Sequence, residues 1–231
     1  MEHAQVPFSR AIAVWVASYI TSSILALILL AISGTSEGDA TPIWLVAATS
    51  VVLWIPMVAG VQFLGQRYGL GDLRVDFGIT FSKSDAWGVP AGIASQLLLV
   101  TAVTWPFTQW FPEEFSSDKI EQRARELTDA AHAGWIVVLA LVVVIGAPFI
   151  EELTYRGLLQ GSLARRIQPR LALLSVAVFF AVIHMSPVEI PGLFAFALVL
   201  GFMRERTGRL GMCMVTHAAF NATGLVLLAL T

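Results

Sequence analysis

Three short clusters of polar residues lie inside otherwise apolar stretches of this chain, and they are the residues able to do chemistry. The first is Glu151-Glu152-Leu-Thr-Tyr-Arg156, the second Phe180-Ala-Val-Ile-His184 and the third His217-Ala-Ala-Phe-Asn221. Ionisable groups inside an apolar span are costly, so they face a cavity or one another. Glu152 and Arg156 are four apart, share a helix face and can pair, which neutralises one carboxylate. Glu151 lies about 100° further round a helix, so Arg156 need not neutralise it. His217 and Asn221 are also four apart and stack one turn over the other. Phe180 sits one turn from His184 and can fix that ring by packing.

Peptide hydrolysis needs an activated water, donors for the developing oxyanion and an acid for the leaving amine. Glu151 with His184 is suited to hold and deprotonate the water. His217 and the Asn221 amide are suited to donate to the oxyanion. This chemistry requires no serine or cysteine. Ser162, Ser175 and Ser186 lie in no nucleophile motif, and the one cysteine, Cys213, sits in an apolar run. A metal version stands beside it. Glu151, His184 and His217 make a two-histidine, one-carboxylate set with a position open for water, as catalytic zinc prefers. Zinc-bound water and metal-free, glutamate-activated water are both open at this point.

These side chains can meet only if apolar helices position them. The chain has 231 residues, of which 57% are hydrophobic and 13% charged, with a mean hydropathy of +0.76. A soluble domain carries about 25% charged residues, so the solvent here is lipid. The net charge of −2 gives no electrostatic pull toward nucleic acid. The expected fold is all-α, a polytopic transmembrane helix bundle of about seven spans. The spans read as Ala11–Ser33, Ile43–Leu64, Ala86–Phe107, Gly134 to about Leu163, Leu171–Ser186, Ile190–Met203 and Leu210–Leu230. The first run is too long for a signal-peptide core and lacks a basic leader with a clear cleavage site. The fifth and sixth are short, and stand as two spans or as one plus a broken one. Residues 1–133 hold the N-terminal spans and an outer amphipathic helix over Ser117–Ala131. Residues 134–231 hold the catalytic core, within one integrated membrane domain. Trp15, Trp44, Trp87, Trp110 and Trp135 lie near span ends and read as interfacial anchors.

Basic residues set the orientation. With the N-terminus cytoplasmic, Arg10, Arg67, Arg74, Lys83, Arg156, Arg165, Arg166, Arg170, Arg204, Arg206 and Arg209 fall on the cytoplasmic side. Only Lys119, Arg123 and Arg125 fall on the other. Depth follows from the turn at Gln168-Pro169. Glu151 lies 17 residues before Gln168 and His184 lies 16 after it. In antiparallel helices both would sit roughly 20–25 Å from the turn, and Asn221 roughly 18 Å from Arg209. One polar layer can therefore collect Glu151, His184, His217 and Asn221. Pro148 removes a helix hydrogen bond just before Glu151 and should kink the span there. Gly157 and Gly161 have the small-residue spacing that lets helices approach closely.

Glu151-Glu152-x-x-x-Arg156, Phe180-x-x-x-His184 and His217-x-x-x-Asn221, in that order and inside apolar spans, resemble the three motifs of the CPBP intramembrane proteases, also called the Abi family. That family holds the type II CAAX prenyl endopeptidases and prokaryotic relatives linked to bacteriocin processing or immunity. The resemblance covers about Gly146 to Gly224. It implies an intramembrane endopeptidase with Glu151 as catalytic base and Glu152–Arg156 as a supporting pair, His184, His217 and Asn221 completing the site. It also implies a plasma-membrane location in a prokaryote, and partners that are membrane lipid and a membrane-associated or lipidated peptide. Two other classes compete. A non-catalytic immunity or scaffold protein would keep the polar layer for packing. A proton-coupled transporter would show two related halves, and none are visible.

Overall fold

The computed structural model describes residues 4–35, 41–115 and 134–230. The expected amphipathic helix over Ser117–Ala131 lies outside the described residues. Among the described residues all regular structure is helical, and the chain is an integral membrane protein. The helices are α1 (Phe8–Ser33), α2 (Ile43–Tyr68), the single turn α3 (Leu73–Asp76), α4 (Lys83–Trp110), α5 (Trp135–Leu163), α6 (Pro169–Ile183), α7 (Ile190–Thr207) and α8 (Gly211–Leu230).

Of these, α1, α2, α4, α5 and α8 are long and apolar enough to cross a bilayer. The two expected short spans are again the exceptions. Helix α6 has 15 residues, and α7 has 18 but ends in Arg204-Glu205-Arg206. Helix α6 stops at Ile183 rather than running to Ser186, because Met185 takes a left-handed φ of 55° that no α-helix continues.

Helices α1 and α2 are joined by hydroxyls. The Ser18 hydroxyl donates to the Pro56 carbonyl at 3.0 Å and the Ser22 hydroxyl to the Leu53 carbonyl at 3.2 Å. Such bonds contribute about 0.6 kcal/mol each in a membrane. Helix α4 opens on a capping box of Ser82 and Asp85 and then lies against α8 almost backbone to backbone. A Cβ at Gly88 would press on the Thr216 hydroxyl, and one at Gly92 would collide with the Thr216 carbonyl oxygen. Only glycine allows this approach, and it fixes the helix that carries His217.

The core lies among α1, α2, α5, α6 and α7, around Leu153, Leu158, Val176, Phe180 and Ala197. One end of the bundle gathers the N-termini of α1, α4, α6 and α8 with the C-termini of α2, α5 and α7. There the Asp76 carbonyl accepts the Ala4 N–H, the Tyr68 carbonyl accepts the Gln5 N–H, and Arg209 pairs with Asp85. This is the arginine-rich end. Arg156, placed there on the count of basic residues, is instead 1% exposed inside the bundle.

Candidate active site

Helix α5 is not a regular α-helix around its carboxylates. Leu141–Gly146 and Glu152–Gln160 are π-helical, and Ala147–Glu151 between them is α-helical. Pro148 explains part of this. In the first wide stretch the Ala147 N–H bonds to the Val142 carbonyl, five residues back. The next carbonyl in that series, Val143, would look to Pro148, which has no N–H. The Asn221 side-chain amide takes the place of that donor, at 2.7 Å from the Val143 oxygen. The proline therefore acts as expected in freeing a carbonyl, and the freed carbonyl occupies Asn221. The amide nitrogen read as an oxyanion donor is here a tie between α8 and α5.

The two adjacent carboxylates have different surroundings. Glu152 is 0% exposed. Its Oε1 accepts from Arg156 at 3.0 Å and from His217 Nδ1 at 2.8 Å, while its Oε2 has no partner. Arg156 also donates to the Ala197 carbonyl of α7 at 3.4 Å and lies 4.4 Å above the Phe180 ring of α6. Gln160, one turn further on, donates to the Gly201 carbonyl at 3.0 Å. Glu152, Arg156 and Gln160 thus hold α5, α6, α7 and α8 together. Gln160 was missed in the sequence because an amide in a span, without a spaced partner on its own helix, gives no local signal.

The Glu151 side chain is 28% exposed, and its Oε2 lies 3.8 Å from His217 Nε2. It lines a recess of about 420 Å³ together with His184, Tyr155, Trp15, Tyr19 and Trp54. Trp15 is therefore not an interfacial anchor. It is 4% exposed and stacks on Tyr19 in the recess wall. Trp44, Trp87, Trp110 and Trp135 stay exposed, as anchors must.

His184 caps α6. Its backbone N–H turns to Val182, so the Phe180 carbonyl lacks its usual helical donor, and the His184 Nδ1 takes that place at 2.6 Å. Phe180 packs against the ring with centroids 4.7 Å apart, the contact expected from their spacing. Carbonyl and carboxylate oxygens are acceptors, so both histidines carry a proton on Nδ1. Each ring then presents Nε2 for chemistry. His217 Nε2 faces Glu151, and His184 shares the recess with it. A water about 2.8 Å from both Glu151 Oε2 and His217 Nε2 fits geometrically, since twice that length exceeds their separation. Among the described residues no three histidine, cysteine, aspartate or glutamate side chains lie close enough to form a metal-binding group.

The four residues expected in one layer thus divide. Glu151 and His184 line the recess, His217 meets Glu151 from α8, and Asn221 is bonded to Val143 of α5. Gly157 is closely packed, with Phe77 and Leu210 each 3.3 Å from where its Cβ would stand, but Gly161 borders open space.

Comparison with known proteins agrees with the motifs. Residues 133–223 match the family model described as type II CAAX prenyl endopeptidase Rce1-like. Searches of curated proteins and of solved structures each found no match. The matched stretch contains every candidate site residue and leaves α1, α2 and α4 outside it. Over residues 133–223, then, this membrane protein is similar to the type II CAAX prenyl endopeptidases of the Rce1-like kind.

Proposed function

We propose that the protein is an intramembrane endopeptidase that hydrolyses a peptide bond of a membrane-associated peptide, with Glu151 as the base. The observation that carries this is the contrast between two adjacent carboxylates. Glu152 is sealed and neutralised, and Glu151 opens into an aromatic recess with a histidine Nε2 3.8 Å away.

Water held between Glu151 and His217 gives a proton to Glu151 as its oxygen attacks the peptide carbonyl. The tetrahedral intermediate collapses, the C–N bond breaks, and the leaving nitrogen takes that proton from Glu151. Glu152 holds His217 in the tautomer that keeps Nε2 free to accept. His184, on the same recess, orients the substrate carbonyl and the water. Asn221 acts as a positioning residue through Val143. Trp15, Tyr19 and Trp54 give the recess an apolar wall suited to an acyl or prenyl chain. The N-terminus is cytoplasmic in this reading, and residues 134–231 form the catalytic core resting on the N-terminal spans.

The test is cleavage of quenched membrane peptides, lipidated and not, by detergent-purified protein. Wild type should cleave, and Glu151→Gln should not. Retained cleavage in Glu151→Gln would remove the proposed base. Loss on chelation, restored by zinc, would move the mechanism to a metal held by Glu151, His184 and His217.

A further inference from the structure

A buried arginine without partners is expensive, most of all beside lipid. Arg204, near the end of α7, is 8% exposed and its Nε has no hydrogen-bond partner. No carboxylate among the described residues pairs with Arg204 or with Arg165, which follows the end of α5. Both arginines line one cavity of about 260 Å³ at the arginine-rich end of the bundle. Arg165 commits one terminal nitrogen to the Val6 carbonyl at 2.8 Å, which leaves its other donors available. Among the described residues Asp76 is the only acid in the wall. Both of its oxygens are occupied, by the Leu70 and Gly71 N–H groups at 2.8 Å each. Two guanidinium groups against one satisfied carboxylate leave the cavity positive and rich in unused donors.

We infer that this cavity binds a phosphate-class oxyanion between the guanidinium groups of Arg165 and Arg204. Planar guanidinium forks match tetrahedral oxyanions in pairs of hydrogen bonds, and arginines from two different segments can grip such a group from two sides. The space suffices for the ion and several waters, a water's share being about 30 Å³. Two sources supply this chemistry at a helix end in a membrane: inorganic phosphate and the phosphodiester of an anionic lipid headgroup. The site is separate from the Glu151 recess and does not depend on the protease reading.

The experiment uses the full chain in detergent. Native mass spectrometry would compare retention of phosphatidylglycerol with phosphatidylcholine, and thermal unfolding would follow added inorganic phosphate. Three variants decide between site binding and general charge attraction. Arg204→Gln removes a ligand. Gly161→Leu fills the cavity from its wall, where a Cβ would meet only the Arg156 carbonyl oxygen at 3.8 Å. Arg206→Gln removes an exposed charge on the same helix. Wild type and Arg206→Gln should prefer phosphatidylglycerol by about tenfold, and the other two should lose that preference. Absence of lipid preference, with a phosphate-dependent rise in unfolding temperature confined to wild type and Arg206→Gln, would assign the site to free phosphate. Wild type and Gly161→Leu behaving alike toward both probes would overturn the inference, whether or not Arg204→Gln folds.

Discussion

Among the described residues two arginines are buried in this bundle, in opposite company. Arg156, at its centre, is 1% exposed and has a carboxylate, a carbonyl and an aromatic face around it. Arg204, at the arginine-rich end, is 8% exposed and has an orphan Nε. Burial alone does not separate them, but partners do. A buried charge with a complete set of partners holds the fold together, and one with an incomplete set marks where something else must bind. Glu152 and Glu151, adjacent in the chain, divide by exposure instead. One is sealed against Arg156 and His217, and the other faces a recess.

The largest difference should appear when each arginine is replaced by methionine, which keeps the length of the stem. Arg156→Met strands the Glu152 carboxylate in the core and should cost about 3–5 kcal/mol, enough to abolish cleavage as well. Arg204→Met strands no ion-pair partner among the described residues, and Asp76 keeps its two backbone donors. Without anionic lipid or phosphate it should change stability by less than about 1 kcal/mol. Unfolding in detergent measures both. Equal losses would mean that Arg204 has structural partners and that the contrast is false.

Next in size is the contrast between the two glutamates. Glu151→Gln should lower turnover by about 10²–10⁴-fold, the usual worth of a general base, and leave the unfolding midpoint where it was. Glu152→Gln should lower both, because it removes the charge that balances Arg156 and holds His217. If the two variants lost activity and stability in the same proportion, the division of labour between them would be wrong.

Much of this was legible in the sequence. Apolar length gave the spans, and the spacing of four predicted the Glu152–Arg156 pair and the Phe180–His184 contact. Counting residues on either side of Gln168 brought Glu151 and His184 together, and both line the recess. What was hidden has a common physical cause. Regular α-helical periodicity says which residues share a face, but α5 is π-helical on both sides of Glu151. The carbonyl that Pro148 strands therefore depends on a register that residue types do not reveal. The glycines that seat α4 on α8 belong to a stretch without chemical motifs. Trp15 looked like an anchor because its place near a span end resembles that of Trp44 and Trp135, although Tyr155 of α5 and Phe179 of α6 pack against it.

The smallest effect tests that hidden register most directly. Asn221 donates to the Val143 carbonyl because Pro148 cannot. Asn221→Ala alone leaves a part-buried acceptor unpaired, at a cost of about 1 kcal/mol. Pro148→Ala restores a backbone N–H that can reach Val143 in the wide register, so the same Asn221→Ala change should cost less in that background. The double-mutant cycle should show coupling of about 1 kcal/mol between two residues on different helices. Additive effects would mean that Asn221 is not compensating for the proline. The amide would then be free for the oxyanion role that its place beside the recess allows, and α8 would have to be held in position by the Gly88 and Gly92 contacts with α4.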